Sequence, residues 1–215
     1  MALLSESVIQ SLQAQNRQVL CHFSAGSHKA GREDSSLFAL EDMGNAVDTS
    51  AAEHWLDIRS NRVQDIIKSR LDTALGKGCD GVVPARLDAY AHDTGFEISA
   101  EQQLIYNRLI ASEAHNRGLM VGLKNNLGQV KELVGDFDFA VNEQCFEVAE
   151  CDLLTPFIVA DKAVFNVEYL PLYQTDDSAR TALCEDANDR KISTLVLSQE
   201  LDDSLRFSCV EASIQ

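Results

Sequence analysis

Basic residues are scarce in this 215-residue sequence: 18 lysines and arginines stand against 34 aspartates and glutamates, for a formal net charge of −16. A surface this acidic repels nucleic-acid phosphates, anionic membranes and polyphosphate substrates, and it attracts cations. A plain solubility role would account for the charge equally well. Long apolar runs are missing too. No stretch approaches the roughly 20 residues that span a bilayer. The start, Met1 to Glu6, has neither the basic n-region nor the apolar h-region of a signal peptide. No cysteine or histidine spacing resembles a zinc site. No Gly-x-Gly-x-x-Gly follows a strand-like run, which disfavours a dinucleotide fold. Glycine is absent from Ser193 to Leu205, where a sugar-phosphate barrel enzyme needs a phosphate-binding turn.

What is present is a core. Apolar residues make up 45% of the chain, enough for one packed domain and too many for disorder. Strand-like runs occur at Val19–Phe23, His54–Ile58, Cys79–Val83, Leu119–Leu123, Phe137–Val141, Ala163–Val167 and Ile192–Leu197. Helices alternate with them. Ser5 opens one with Val8, Ile9 and Leu12 on its apolar stripe. A second carries Val63, Ile66, Ile67, Leu71, Ala74 and Leu75 at helical spacing and ends at Gly76-Lys77-Gly78. A third begins at Ser99, whose capping box is completed by Gln102, with Leu104, Ile105, Leu109, Ile110 and Ala114 as the expected core face. A short helix follows over Leu127–Leu133, and a weaker one over about Asp177–Ala187.

This alternation predicts α/β architecture with parallel strands and right-handed crossovers, best matched by a (β/α)8 TIM-type barrel. Seven strands are readable rather than eight, and the chain opens on a helix. A barrel lacking its N-terminal strand, open between first and last strands, is the expectation. Cys21 and Cys79 sit inside apolar strands and read as buried free thiols. Cys145 with Cys151, and Cys184 with Cys209, are spaced as disulfide candidates, which would place the protein in an oxidising compartment.

In such barrels the chemistry lies at the C-terminal strand ends. Here those ends carry Ser24 to Ser27, Asp57 and Arg59, Pro84-Ala85-Arg86 with Asp88, Lys124-Asn125-Asn126, Asn142-Glu143 and Glu168-Tyr169. Carboxylates interleaved with amides and hydroxyls suit a carbohydrate. Sugar hydroxyls need hydrogen bonds, and glycosidic cleavage uses two carboxyl groups flanking the bond. Taken singly, each of these residues could instead cap a strand or orient a loop, and the cations could pair with neighbouring carboxylates. Trp55 could stack on a sugar face, but its place just before Leu56 on a strand favours barrel packing. Tyr90 and His92 read as subsite residues or loop surface, and His115 as a charge complementing a helix terminus.

These same residues carry a family resemblance. His22-Phe23-Ser24-Ala25-Gly26-Ser27, Trp55-Leu56-Asp57-Ile58-Arg59 and Gly118-Leu119 through Lys124-Asn125 resemble signatures of glycoside hydrolase family 114, the endo-α-1,4-polygalactosaminidases. So do Asn142-Glu143-Gln144-Cys145 with Glu150-Cys151, and Phe165-Asn166-Val167-Glu168-Tyr169. The motifs are strongest over residues 18–169, within a single domain expected over 1–215 and N-terminally truncated. The resemblance implies a TIM barrel, no metal or cofactor, and action on α-1,4-linked galactosamine-containing polysaccharide. The acidic charge argues against a nucleic-acid partner, and the lack of a long apolar run against membrane insertion. The resemblance also implies an extracellular setting, although this chain shows no signal peptide. Partly deacetylated polymers of that kind are cationic, which an acidic surface would collect.

The resemblance makes Glu143 a catalytic carboxyl. Family members carry a second carboxylate in a segment commonly written Asp-Gly-Val-Glu-Pro-Asp-Asn. Here the segment is Asp80-Gly81-Val82-Val83-Pro84-Ala85-Arg86, so Val83, Ala85 and Arg86 are lost catalytic positions. Smaller departures are Asn126, where Asp is frequent, and His22, where Tyr is usual. Asp57, Asp88 and Glu168 are the candidate replacements at strand ends. Ser24, Arg59, Asp88, Tyr90, Lys124 and Asn125 are expected to bind substrate. A domain that binds polysaccharide without cutting it, or that has lost function, is the alternative.

Overall fold

The computed structural model describes residues 5–47, 53–202 and 204–212, in two compact units, Met1–Phe137 and Asp138–Gln215. In the first unit, helix α1 (Glu6–Gln13) is followed by strand β1 (Leu20–Ser24). Ile9 is buried, whereas Val8 of the expected stripe faces solvent. Asp80 ties this start to the strand ahead: its carboxylate accepts from the Val19 N–H at 2.7 Å and from the Gln13 amide at 3.0 Å. The Asp of the Asp-Gly-Val segment is thus an anchor between chain segments.

Next come β2 (Ser27–Lys29), β3 (Met43–Ala46) and β4 (Glu53–Leu56), then helix α2 (Asn61–Gly76) and β5 (Gly81–Ala85). Helix α3 (Ala100–His115), β6 (Met120–Lys124) and α4 (Val130–Leu133) complete the unit. Strands β1, β5 and β6 lie side by side and parallel, with Leu20 opposite Gly81 and Gly81 opposite Met120. The expected strand at His54–Ile58 is not among them. It forms as β4, antiparallel between β2 and β3 in a separate sheet, with Trp55 opposite Ser27 and Leu56 opposite Met43. Locally it reads like the strand of a βα unit, because a good helix follows. Its partners are chosen by tertiary contacts that no local pattern encodes.

Helix α2 buries Val63, Ile66, Ile67, Leu71 and Ala74 as the spacing predicts, but Leu75 is exposed and Arg70 is buried instead. The capping box of α3 forms as read, with the Ser99 hydroxyl accepting from the Gln102 N–H and the Gln102 carboxamide from the Ser99 N–H. Its buried face differs from the expectation. Gln103, Tyr106, Asn107, Ile110, Ala111 and Ala114 go inward, while Ile105 is exposed. Polar residues can occupy that face because Gln103 donates to Asn107, Asn107 donates to the Leu87 carbonyl, and the Tyr106 hydroxyl donates to the Ala25 carbonyl at 2.6 Å.

The second unit begins with β7 (Phe139–Glu143), continues through α5 (Thr155–Val159), β8 (Val164–Glu168), α6 (Pro171–Thr175), α7 (Asp177–Asp189) and β9 (Ser193–Leu197), and ends in β10 (Arg206–Ser208) and α8 (Cys209–Ala212). Strands β7, β8 and β9 are parallel, and β10 turns back antiparallel on β9. Leu183, Cys184, Val196 and Cys209 form a small core here, with Phe146, Tyr173, Leu205 and Phe207 packed against it.

The architecture is α/β of the TIM-barrel type, with three parallel strands in the first unit and four strands in the second. Among the described residues seven such strands are found, as expected, but the membership differs: β4 leaves the set and the unforeseen β10 joins it. Strand β1 pairs on one side, with β5, and β10 on one side, with β9. The cysteine reading needs one correction. Cys21 and Cys79 are joined as a disulfide rather than free, their Cα atoms 6.0 Å apart, because the parallel pairing of β1 with β5 brings Cys21, within β1, close to the residues that lead into β5. Cys145–Cys151 and Cys184–Cys209 are also bridged.

Candidate active site

The C-terminal end of β1 is built inward. Ser24 is buried, and its hydroxyl shares a hydrogen bond with that of Ser27, which donates to the carboxylate of Glu53. The Ser24 carbonyl accepts from the buried Arg70, whose other donors are spent on Asp34 at 2.6 and 3.1 Å. Burial raises the Asp34 carboxyl, and the Arg70 hydrogen bonds and charge outweigh it, leaving Asp34 below its ordinary range. Ser24, expected to bind substrate, is therefore an internal link between a buried cation and Glu53.

Strand β5 ends beside β1, with Ala85 opposite Ser24 and the Ala25 N–H donating to the Ala85 carbonyl at 2.8 Å. Val83 is buried and Ala85 half-buried. Arg86 follows with φ +62, a left-handed conformation that asparagine tolerates better than most residues. Gly26 explains part of this geometry: a Cβ there would fall 1.9 Å from the Arg86 carbonyl oxygen, so only glycine lets the two backbones approach. The Arg86 guanidinium lies 3.9 Å from Glu53 and 5.8 Å from the centre of the Trp55 ring. Glu53 and Trp55 are two residues apart on β4 and so present side chains to one face. Trp55 is 2% exposed and is stacked by His92, ring centres 4.8 Å apart; it is packed as a buried side chain, but in the β2–β4–β3 sheet rather than on a barrel strand. His92 in turn meets Asp88 at 3.2 Å. Tyr90 is half-buried, its hydroxyl against Gly128, where a Cβ would come within 2.5 Å.

Asp57 and Arg59 form a closed pair. Both carboxylate oxygens accept from the guanidinium, at 2.8 and 2.9 Å, and Arg59 also donates to the Glu97 carbonyl. Burial raises Asp57, and the Arg59 hydrogen bonds and charge reverse this and hold it below its ordinary range. At the end of β6, Lys124 and Asn125 are half-buried, and Asn125 and Asn126 both take left-handed backbones, φ +55 and +50. Asn126 is buried and donates to Gln129 at 3.1 Å.

In the second unit, Glu143 closes β7 and is half-buried. The Tyr169 hydroxyl donates to its Oε1 at 2.9 Å. Burial first, and then the negative charge of Glu143 and that hydrogen bond, drive Tyr169 far above the ordinary phenol value, so it stays a donor. Glu168 is wholly buried. Its oxygens accept from the Phe146 N–H at 2.9 Å, the Glu147 N–H at 3.4 Å and the Asn166 amide at 2.9 Å. Burial raises its carboxyl despite these donors. Asn166 also receives the Cys145 N–H, and the Cys145–Cys151 bridge closes the turn. The segment after Glu143 is thus clamped by the side chains of β8. Among the described residues, no three His, Cys, Asp or Glu side chains stand together to hold a metal, and no helix is long and apolar enough to cross a membrane.

Sequence reasoning passed over Glu53 and Arg70. A usable signal existed for Glu53, two positions before Trp55 on a strand. None existed for Arg70, a cation on the apolar face of α2.

Each unit has parallel strands whose ends carry carboxylates and amides, with a tyrosine in the second, the side-chain chemistry that glycoside hydrolase barrels use. The chain belongs to glycoside hydrolase family GH114, whose model matches residues 3–213. It is similar to Ega3 of Aspergillus fumigatus, solved in complex with galactosamine: 34% identity, 95% of this chain and 84% of that one, TM-score 0.88. The glycoside hydrolase domain of PelA from Pseudomonas aeruginosa shares the fold at 15% identity, covering 95% of this chain and 87% of that one, with a TM-score of 0.72. No curated protein matches this chain. The fold is therefore that of a galactosaminidase-like glycoside hydrolase.

Proposed function

We propose that this chain, as a single GH114 domain, engages α-1,4-linked galactosamine-containing polysaccharide in the manner of an endo-acting hydrolase, with Glu143 as its catalytic carboxyl. The observation that carries the reading is the Tyr169–Glu143 hydrogen bond, which holds a half-buried carboxylate at a barrel strand end in a GH114 chain. The likeness to Ega3, whose structure holds galactosamine, supports the amino-sugar substrate. The charge of −16 supports attraction of a cationic polymer. Three disulfides favour an oxidising, extracellular setting.

The motif at Val83–Arg86 is degraded in this reading. Ala85 cannot accept a proton, attack a sugar carbon or stabilise an oxocarbenium ion, so hydrolysis is slowed by roughly a thousandfold or more relative to a two-carboxylate site. Asp57 and Glu168 are poor substitutes, the first locked to Arg59 and the second sealed from solvent. The Asp88 carboxylate engages the exposed His92. A binding-only domain is the second reading, and Ala85 is the residue that favours it.

Incubating the purified chain with a galactosamine polymer and sizing the products separates the two. Oligosaccharide release that Glu143→Gln abolishes supports hydrolysis. Binding without release supports the second reading. Neither binding nor release overturns both.

A further inference from the structure

The strand end at Val83–Arg86 has been rebuilt rather than emptied. The Arg86 backbone directly follows the last pair of the β1–β5 ladder, Ser24 with Ala85, and is met by the close approach of Gly26. From this base its side chain reaches solvent, 42% exposed. Other arginines nearby are spent. Arg59 is bidentate on Asp57, and Arg70 is buried on Asp34 and the Ser24 carbonyl. Among the described residues the Arg86 guanidinium makes no hydrogen bond. Its nearest acid, Glu53, stands 3.9 Å away and already takes the Ser27 hydroxyl. Trp55 lies against its face at 5.8 Å and helps hold its plane. An anchored, half-exposed guanidinium whose N–H donors are unfilled is built to meet an acceptor oxygen.

We propose that Arg86 is a specificity-determining residue: it takes the acetamido carbonyl of an N-acetylated galactosamine unit at this strand end and disfavours a protonated 2-amino group there. The inference rests on the reading of the chain as one that engages galactosamine polymers. An amide carbonyl offers the acceptor that the fork of donors lacks, without a second charge to balance against Glu53. An ammonium in the same place meets like charge. The overall charge of −16 still draws a cationic chain from a distance. The two effects together select a partly acetylated polymer, with free amines supplying long-range attraction and an acetamide seated at Arg86.

The test is calorimetric titration of the purified full chain with two α-1,4-linked galactosamine oligosaccharides of equal length, one fully N-acetylated and one fully deacetylated, at about 0.5 M salt, where the long-range attraction of the −16 charge for the deacetylated ligand is screened. The wild type is expected to favour the acetylated ligand by about tenfold, the worth of a hydrogen bond to a charged group. Arg86→Asn should bring that ratio to unity or reverse it, and thermal melting confirms its fold. Glu53→Gln keeps Arg86 and removes its counter-charge, so the ratio should widen. A wild-type preference for the deacetylated ligand, or ratios equal within about twofold in all three proteins, overturns the proposal and leaves the polymer reading standing. If Arg86→Asn does not fold, Glu53→Gln decides alone, and a narrowed or unchanged ratio overturns the proposal. Failure of every protein to bind either ligand overturns the polymer reading and this inference with it.

Discussion

Single residues in this protein do their work through partners that sequence position does not reveal. Glu168 ends its strand just before Tyr169, and the pattern makes it a candidate for chemistry. Buried, it instead holds the Phe146 and Glu147 amides. Its raised carboxyl has a consequence for stability. Between the ordinary carboxyl range and the raised folded value, the native state binds more protons than the unfolded chain. The Glu168 contribution is therefore full at low pH and is lost as pH rises through the folded value. Asp34 and Asp57, held low, act oppositely and lose their contribution as pH falls. Urea midpoints measured from about pH 4 to about pH 7 should accordingly rise more for Glu168→Gln than for the wild type; parallel profiles would count against the assignment. Gly26→Ala should cost about 2 kcal/mol or more by chemical denaturation, because the new methyl meets the Arg86 carbonyl rather than a movable side chain.

At the scale of elements, local signals were strongest where the physics is local. The Ser99–Gln102 capping box forms as read, and Ser99→Ala should cost about 1 kcal/mol with no change in substrate binding, as urea unfolding would show. The apolar spacing of α2 likewise gave its buried face, save for Leu75 and Arg70. Pairing was not legible. His54–Ile58 has the composition of a barrel strand, yet β4 pairs antiparallel with β2 and β3, bringing Glu53 and Trp55 to Arg86. β10 is three residues long and offers too little periodicity to announce itself. The α3 face misled in another way. Leu104 and Ile105 outrank Gln103 and Asn107 in hydrophobicity, but a connected hydrogen-bond chain makes burial of the polar pair inexpensive.

For the whole molecule, covalent closure matters as much as packing. Cys21–Cys79 closes a loop of 58 residues in sequence separation, so replacing both by alanine should lower unfolding free energy by about 4 kcal/mol, measured by guanidinium titration. Thiol titration of the unfolded, unreduced protein should find none of the six cysteines free. Polymer binding should weaken steeply with added salt if the charge of −16 does the collecting, and a flat salt dependence would reduce that charge to solubility. The sequence by itself determined the family, the alternation of strands and helices, and the absence of a carboxyl at Val83 and Ala85, because motif order, helical periodicity and residue identity are written along the chain. Tertiary structure alone decided that Glu168 is sealed inside, that Tyr169 serves Glu143, that Cys21 meets Cys79, and that Arg86 stands beside Glu53 and Trp55. Each of those depends on which distant segments pack together, and burial and hydrogen-bond partners exist only once they have done so.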